Sequence, residues 1–176
     1  MIKKNFYKIK SKILKSEFNR NVLTLMAGTS IAQAIPIAIT PILTRLYTPE
    51  DFGIFAFFIA ITSILSSIAN GRYELAIMLP HKDEDAINLA ALGTLIAICL
   101  SILLMIINVF FNTHITNFFG KPEISFWLYF VPIVVLMNGL YNVLKYLNIR
   151  KKFYKDISNT LIFKSVSSAI ISIVFG

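Results

Sequence analysis

Residues 52–71 form a run of twenty without a charge, and both ends of the run are marked. Thr-Arg-Leu-Tyr-Thr-Pro-Glu-Asp (44–51) precedes it, and Arg-Tyr-Glu-Leu-Ala-Ile-Met-Leu-Pro (72–80) follows it. A helix of that length reaches about 30 Å, the thickness of a bilayer's hydrocarbon core. The run therefore reads as a membrane-spanning helix whose two ends are chemically distinct.

Similar runs recur along the chain. Spans are expected at about 21–44, 52–79, 87–111, 124–144 and 157–176, with residues 1–20 as a basic segment before them. The predicted fold class is all-α, a polytopic bundle of about five transmembrane helices. Charge supports this, because only 15% of residues are charged, where a soluble domain carries roughly 25%.

The net charge of +8 reflects where the basic residues sit. They lie between spans and not on a soluble face, so the positive-inside rule accounts for them and no nucleic-acid partner is expected. Fourteen Lys and Arg fall in the N-terminal segment, at Arg72 and Lys82, and between residues 145 and 156. Only Arg45 and Lys121 fall in the first and third connections. This places the N-terminus in the cytoplasm, with the chain crossing the membrane several times. Phe6, Ile9 and Ile13 share a helical face in the basic segment, which reads either as an amphipathic helix on an anionic membrane surface or as a cationic tail that sets topology. Ala32-Gln33-Ala34 mimics a small-x-small cleavage site, but the short apolar run upstream argues for an uncleaved first span. The lone Cys99 has no disulfide partner and reads as a small hydrophobe in mid-span. The apolar run that closes at Gly176 with no polar tail reads as a truncation.

Polar residues inside the spans fall into stripes. Thr29, Gln33, Pro36, Thr40 and Thr44 share a face of span one, and Ser63, Ser67, Asn70 and Glu74 share a face of span two if the helix continues through Gly71. Thr94, Ser101 and Asn108 recur in span three, and Asn138, Asn142 and Lys145 align in span four with Tyr141 beside them. Four stripes suggest a shared, hydrated interior, while small and hydroxylated residues also hold helices together in bilayers. Pro36 and Pro41 in span one and Pro132 in span four each remove a backbone donor and favour kinks.

The ionisable residues narrow the choice. Arg72 follows a full hydrocarbon-length run, and either pairs with Glu74 or the Asp83-Glu84-Asp85 cluster or faces a cavity as a cation. Lys164 lies inside span five and either snorkels or does the same. Arg45 with Glu50 and Asp51 makes a charged outer connection, and Thr48-Pro49-Glu50-Asp51 reads as a helix N-cap with proline in the first turn. No acidic residue falls near mid-span, so no coupling ion is read. No phosphate-binding loop, metal-ligand spacing or nucleophile–base arrangement is apparent, so neither an enzyme nor a cofactor is expected.

The segments Gly28-Thr-Ser, Pro41-Ile-Leu-Thr-Arg-Leu-Tyr-Thr-Pro-Glu-Asp-Phe-Gly53 and Gly71-Arg-Tyr-Glu-Leu-Ala-Ile-Met-Leu-Pro80 resemble the N-terminal signature of the oligosaccharide flippases of O-antigen and capsule biosynthesis. Those proteins belong to the multidrug/oligosaccharidyl-lipid/polysaccharide exporter superfamily. The resemblance covers roughly residues 20–175 and is most specific over 41–80. It implies a polyprenyl-diphosphate-linked oligosaccharide as substrate, moved between leaflets by alternating access without ATP hydrolysis, in a membrane shared with other polysaccharide assembly proteins. It implies a two-lobed transporter of which this chain makes part of the N-terminal lobe, and a cationic cavity to which Arg72 and Lys164, with Arg45 behind them, are suited. A drug or cation exporter of the same superfamily and a non-transporting membrane fragment are the alternatives.

Overall fold

The computed structural model describes residues 2–120 and 123–174, with side chains from residue 19 onward. The amphipathic face at Phe6, Ile9 and Ile13, the Lys121 charge and the Gly176 terminus lie outside that description. The fold is all-α. Among the described residues seven helices follow one another: α1 (Ile2–Leu46), α2 (Pro49–Ile68), α3 (Tyr73–Ala76), α4 (Asp83–Phe119), α5 (Ile124–Leu128), α6 (Val131–Arg150) and α7 (Tyr154–Val174). Among the described residues five helical stretches are long and apolar enough to cross a membrane, namely Asn19–Leu46, Pro49–Ile68, Asp83–Phe119, Ile124–Arg150 and Tyr154–Val174. The chain is a multi-pass membrane protein.

It folds as two compact units. In the first, α1 packs against α7. The seam uses small residues, with Gly28, Ala32, Ser158 and Ala169 all buried. Ser158 Oγ donates to the Thr24 carbonyl at 3.3 Å. Close backbone approach gives dispersion contacts that bulky side chains would block, the usual source of helix association in lipid. The prolines of α1 do not end it. The helix runs through Pro36 and Pro41, and Thr40 and Thr44 fold their hydroxyls back onto the carbonyls of Pro36 and Pro41 at 2.8 and 3.1 Å.

The second unit spans residues 47–151 and holds α2 to α6. Thr48 caps α2 with a reciprocal box: the Asp51 amide donates to Thr48 Oγ1 at 3.3 Å, and the Thr48 amide donates to Asp51 Oδ2 at 2.9 Å. Thr48→Ala removes one side of that box and lowers the melting temperature in detergent, a cost of about 1 kcal/mol. Thr48→Ser, which keeps the hydroxyl, leaves it unchanged.

One apolar core of this unit gathers Ala69, Ile124, Leu128, Val131 and Val135. A second gathers Ile77, Ala86, Ala90 and Val143. Span four is broken rather than kinked, into α5 and α6, and Pro132 stands in the first turn of α6. In an unbroken helix the amide of residue 132 would bond the Leu128 carbonyl, and proline has no amide hydrogen. Asn108 Nδ2 donates to that carbonyl instead. Ser101 Oγ donates to the Pro132 carbonyl at 2.7 Å, and Asn112 Nδ2 to the Ser125 carbonyl at 3.0 Å. At Ser101 and Asn108 the polar stripe of span three thus serves packing against the break, while Thr94 folds back onto the Ala90 carbonyl of its own helix. Cys99, expected to pack as a small hydrophobe, is exposed on α4.

Candidate functional site

The feature that departs most from a simple span is the end of α2. The stripe Ser63, Ser67, Asn70 and Glu74 required the helix to continue through Gly71, and it does not. α2 ends at Ile68, Gly71 and Arg72 take left-handed backbone angles (φ 58° and 65°), and the short α3 begins at Tyr73. Glycine adopts that conformation without penalty, whereas at Arg72 it costs roughly 1–2 kcal/mol. The break splits the stripe: Ser63 and Ser67 are exposed, while Asn70 and Glu74 are buried. The Asn70-Gly71 pair is a turn signal that was present in the sequence and outweighed by the length of the apolar run.

Asn70 holds the break in place. Its Nδ2 donates to the carbonyl of Gly93 on α4 at 3.1 Å and to that of Gly139 on α6 at 3.2 Å. One side chain therefore ties three helices together. Gly139 makes this close approach feasible, since a Cβ there would stand 2.8 Å from the Ala97 Cβ and 3.5 Å from Asn70 Nδ2. Nearby on α6, Asn138 Nδ2 donates to Ser66 Oγ of α2 at 3.2 Å. Asn142 and Lys145 follow on the same face of α6, both half-buried.

Arg72 is exposed. It pairs neither with Glu74 nor with the acidic cluster, because the only salt bridge among the described residues joins Arg150 to Asp83 at 3.0 Å. The reason is geometric: Glu74 is buried while Arg72, two residues before it and on left-handed backbone, points outward. Arg150 was read from sequence only as one of the topology-setting charges. It also donates to the carbonyls of Ile77, Pro80 and Lys82 at 3.0, 2.8 and 3.3 Å, clamping the segment that joins α3 to α4. No local pattern announces such a clamp, whose partners lie some 70 residues away in the chain.

The remaining candidates belong to the α1/α7 unit. Gln33 on α1, Arg45 in the last turn of α1 and Lys164 on α7 are all exposed there. A cavity of about 290 Å³ lies in the second unit between α2, α4, α5 and α6. Its walls are apolar, formed by Ile61, Leu65, Leu104, Ile107 and Phe119 among others, with Asn108 the one polar residue among the described ones. Such walls suit hydrocarbon, not a charged head group.

The family model described as "Polysaccharide biosynthesis protein" matches residues 42–176. No curated protein and no solved structure gives a match.

Proposed function

The chain belongs to the polysaccharide biosynthesis protein family, and on that premise we propose that it takes part in moving a polyprenyl-diphosphate-linked oligosaccharide from the cytoplasmic to the outer leaflet of the inner membrane. The role is transport by alternating access, without ATP hydrolysis and without a chemical step, in the building of O-antigen or capsule.

The observation that carries this reading is Arg72: an exposed cation, with no carboxylate partner among the described residues, at the end of a membrane-length apolar helix. Taking a diphosphate through hydrocarbon is prohibitive unless cations and polar groups meet it along the way. Exposed polar side chains on membrane-length helices have little use against lipid. Arg72 is a cation suited to the diphosphate in its own unit, and Gln33 and Lys164, taken by themselves in the α1/α7 unit, are an amide and a cation of the same kind. The polyprenyl tail stays in the bilayer, so the path has to accept only the head group.

Complementation of a strain lacking its own lipid-linked oligosaccharide exporter tests the proposal, with surface polysaccharide as the readout. The full-length gene restores the polysaccharide. Arg72→Ala and Lys164→Ala each lower export about tenfold, the loss expected for one charge-assisted contact, with membrane insertion unchanged. Full export by both variants would end the role given to these cations, and failure of the unaltered gene to restore polysaccharide would count against transport itself.

A further inference from the structure

The cavity of the 47–151 unit lies beside the break in span four. Leu128 at the end of α5 and Val131 at the start of α6 both line it. On α4 the lining runs from Leu104 to Ile115 and beyond, about three turns or 16 Å of helix axis. A space of about 290 Å³ drawn out over that length is long and narrow.

The polar residue in its described walls is already engaged. Asn108 Nδ2 donates to the Leu128 carbonyl, and Asn108 Oδ1 accepts from Asn112 Nδ2 at 3.3 Å. A water held in a cavity needs about two to four polar partners. These walls leave at most the second lone pair of one amide oxygen, so the space suits hydrocarbon and not water.

The cavity is not sealed. Ile64 on α2 and Ile107 on α4 line it and are 68% and 38% exposed, on helices long and apolar enough to cross a membrane. Taken by itself, the unit therefore opens this space to the lipid tails around it. Left empty, the void would forfeit the dispersion contacts of its walls, and in a bilayer such contacts are the main source of helix association.

We propose that the cavity binds one acyl chain of a bilayer phospholipid, laid along α4 between α2 and the break in span four. An unbranched chain matches the long, narrow form. An isoprenoid chain, with methyl branches along its whole length, fits it less well. The bound chain supplies α2, α4 and α5 with contacts that an unbroken, closely packed span would otherwise make, and the head group stays outside the apolar walls. The inference goes beyond the transport role and is read by retained lipid, so it stands or falls apart from export.

Native mass spectrometry of the purified full chain, washed in detergent until the lipid around its outer surface is gone, reads the occupant. The unaltered chain retains one phospholipid per chain. Ile61→Phe fills the space, and Ile107→Trp narrows its mouth at an exposed position. Each lowers retention about tenfold, the change an overpacking clash carries into a binding equilibrium. Loss in either variant supports the site. Absence of phospholipid from the unaltered chain, retention of an isoprenoid lipid in its place, or equal retention by the unaltered chain and both variants overturns the proposal. Should both variants fail to insert, the unaltered chain decides by itself. Trp127 is the chain's one tryptophan and adjoins Leu128 of the cavity wall. After exchange into phospholipid brominated at mid-chain and the same wash, its emission stays below that of chain exchanged into unbrominated lipid. Equal emission overturns the site.

Discussion

Arg150→Ala destabilises the 47–151 unit by about 2–4 kcal/mol, the range expected when a charged donor shared among several carbonyls is removed. The ion pair itself contributes little of this. Asp83 has a side chain 83% exposed to the Arg150 partner's 15%, and an exposed carboxylate is screened, so Asp83→Asn costs no more than about 1 kcal/mol. The larger share lies in the carbonyls of Ile77, Pro80 and Lys82, which the guanidinium reaches from a single planar fork. Arg150→Lys, with a point charge on a flexible stem, recovers less than half of the loss. Thermal unfolding in detergent ranks the three variants, and hydrogen exchange over residues 77–83 locates the loosening. Equal losses from Asp83→Asn and Arg150→Ala would show that the ion pair, and not the carbonyl clamp, holds this corner.

Gly28→Ala separates α7 from α1. A Cβ at residue 28 would stand 1.7 Å from Ser158 Oγ, 2.7 Å from Ser158 Cβ and 3.1 Å from Ser158 Cα. Rotation of the hydroxyl relieves only the first of these contacts, so the helices have to move apart. Overpacking of this kind costs about 1–3 kcal/mol, and the Ser158–Thr24 hydrogen bond is lost with it. Ser158→Gly in the Gly28→Ala background removes Oγ and Cβ together and restores most of the stability, while Ser158→Ala alone costs about 0.6 kcal/mol, typical of an interhelical hydrogen bond in a membrane. The unaltered chain, Gly28→Ala, Ser158→Gly and their combination form a double-mutant cycle. Additive losses across that cycle, with no rescue, would rule out direct contact between these two residues as the cause.

The parts of the fold that were legible in the sequence are those decided within a few residues. The capping box at Thr48 and Asp51 is one: hydroxyl, proline and acid sit at the spacing a helix start needs, and the structure places them there. The five apolar helices are another, since length and hydropathy alone define them. The break after Ile68 was less legible, because hydropathy carries no record of backbone angles and the apolar run masks the Asn70-Gly71 turn. Among the candidate site residues, the polar type was legible and the environment was not. Asn70 and Glu74 were read on the same face as Ser63 and Ser67, yet two left-handed residues between helices turned them inward.

The sequence by itself determined that this chain is helical and holds several runs apolar enough to cross a membrane. A helix satisfies its own backbone in lipid, so that outcome needs no distant partner. The tertiary structure alone decided which carbonyls are covered and which glycines are indispensable. Asn70 reaches Gly139, Arg150 reaches Pro80 and Ser158 meets Gly28 across separations of 69, 70 and 130 residues. Those pairings exist only after the helices have packed, when a side chain's donors and its bulk are set against groups that no local window of the sequence contains.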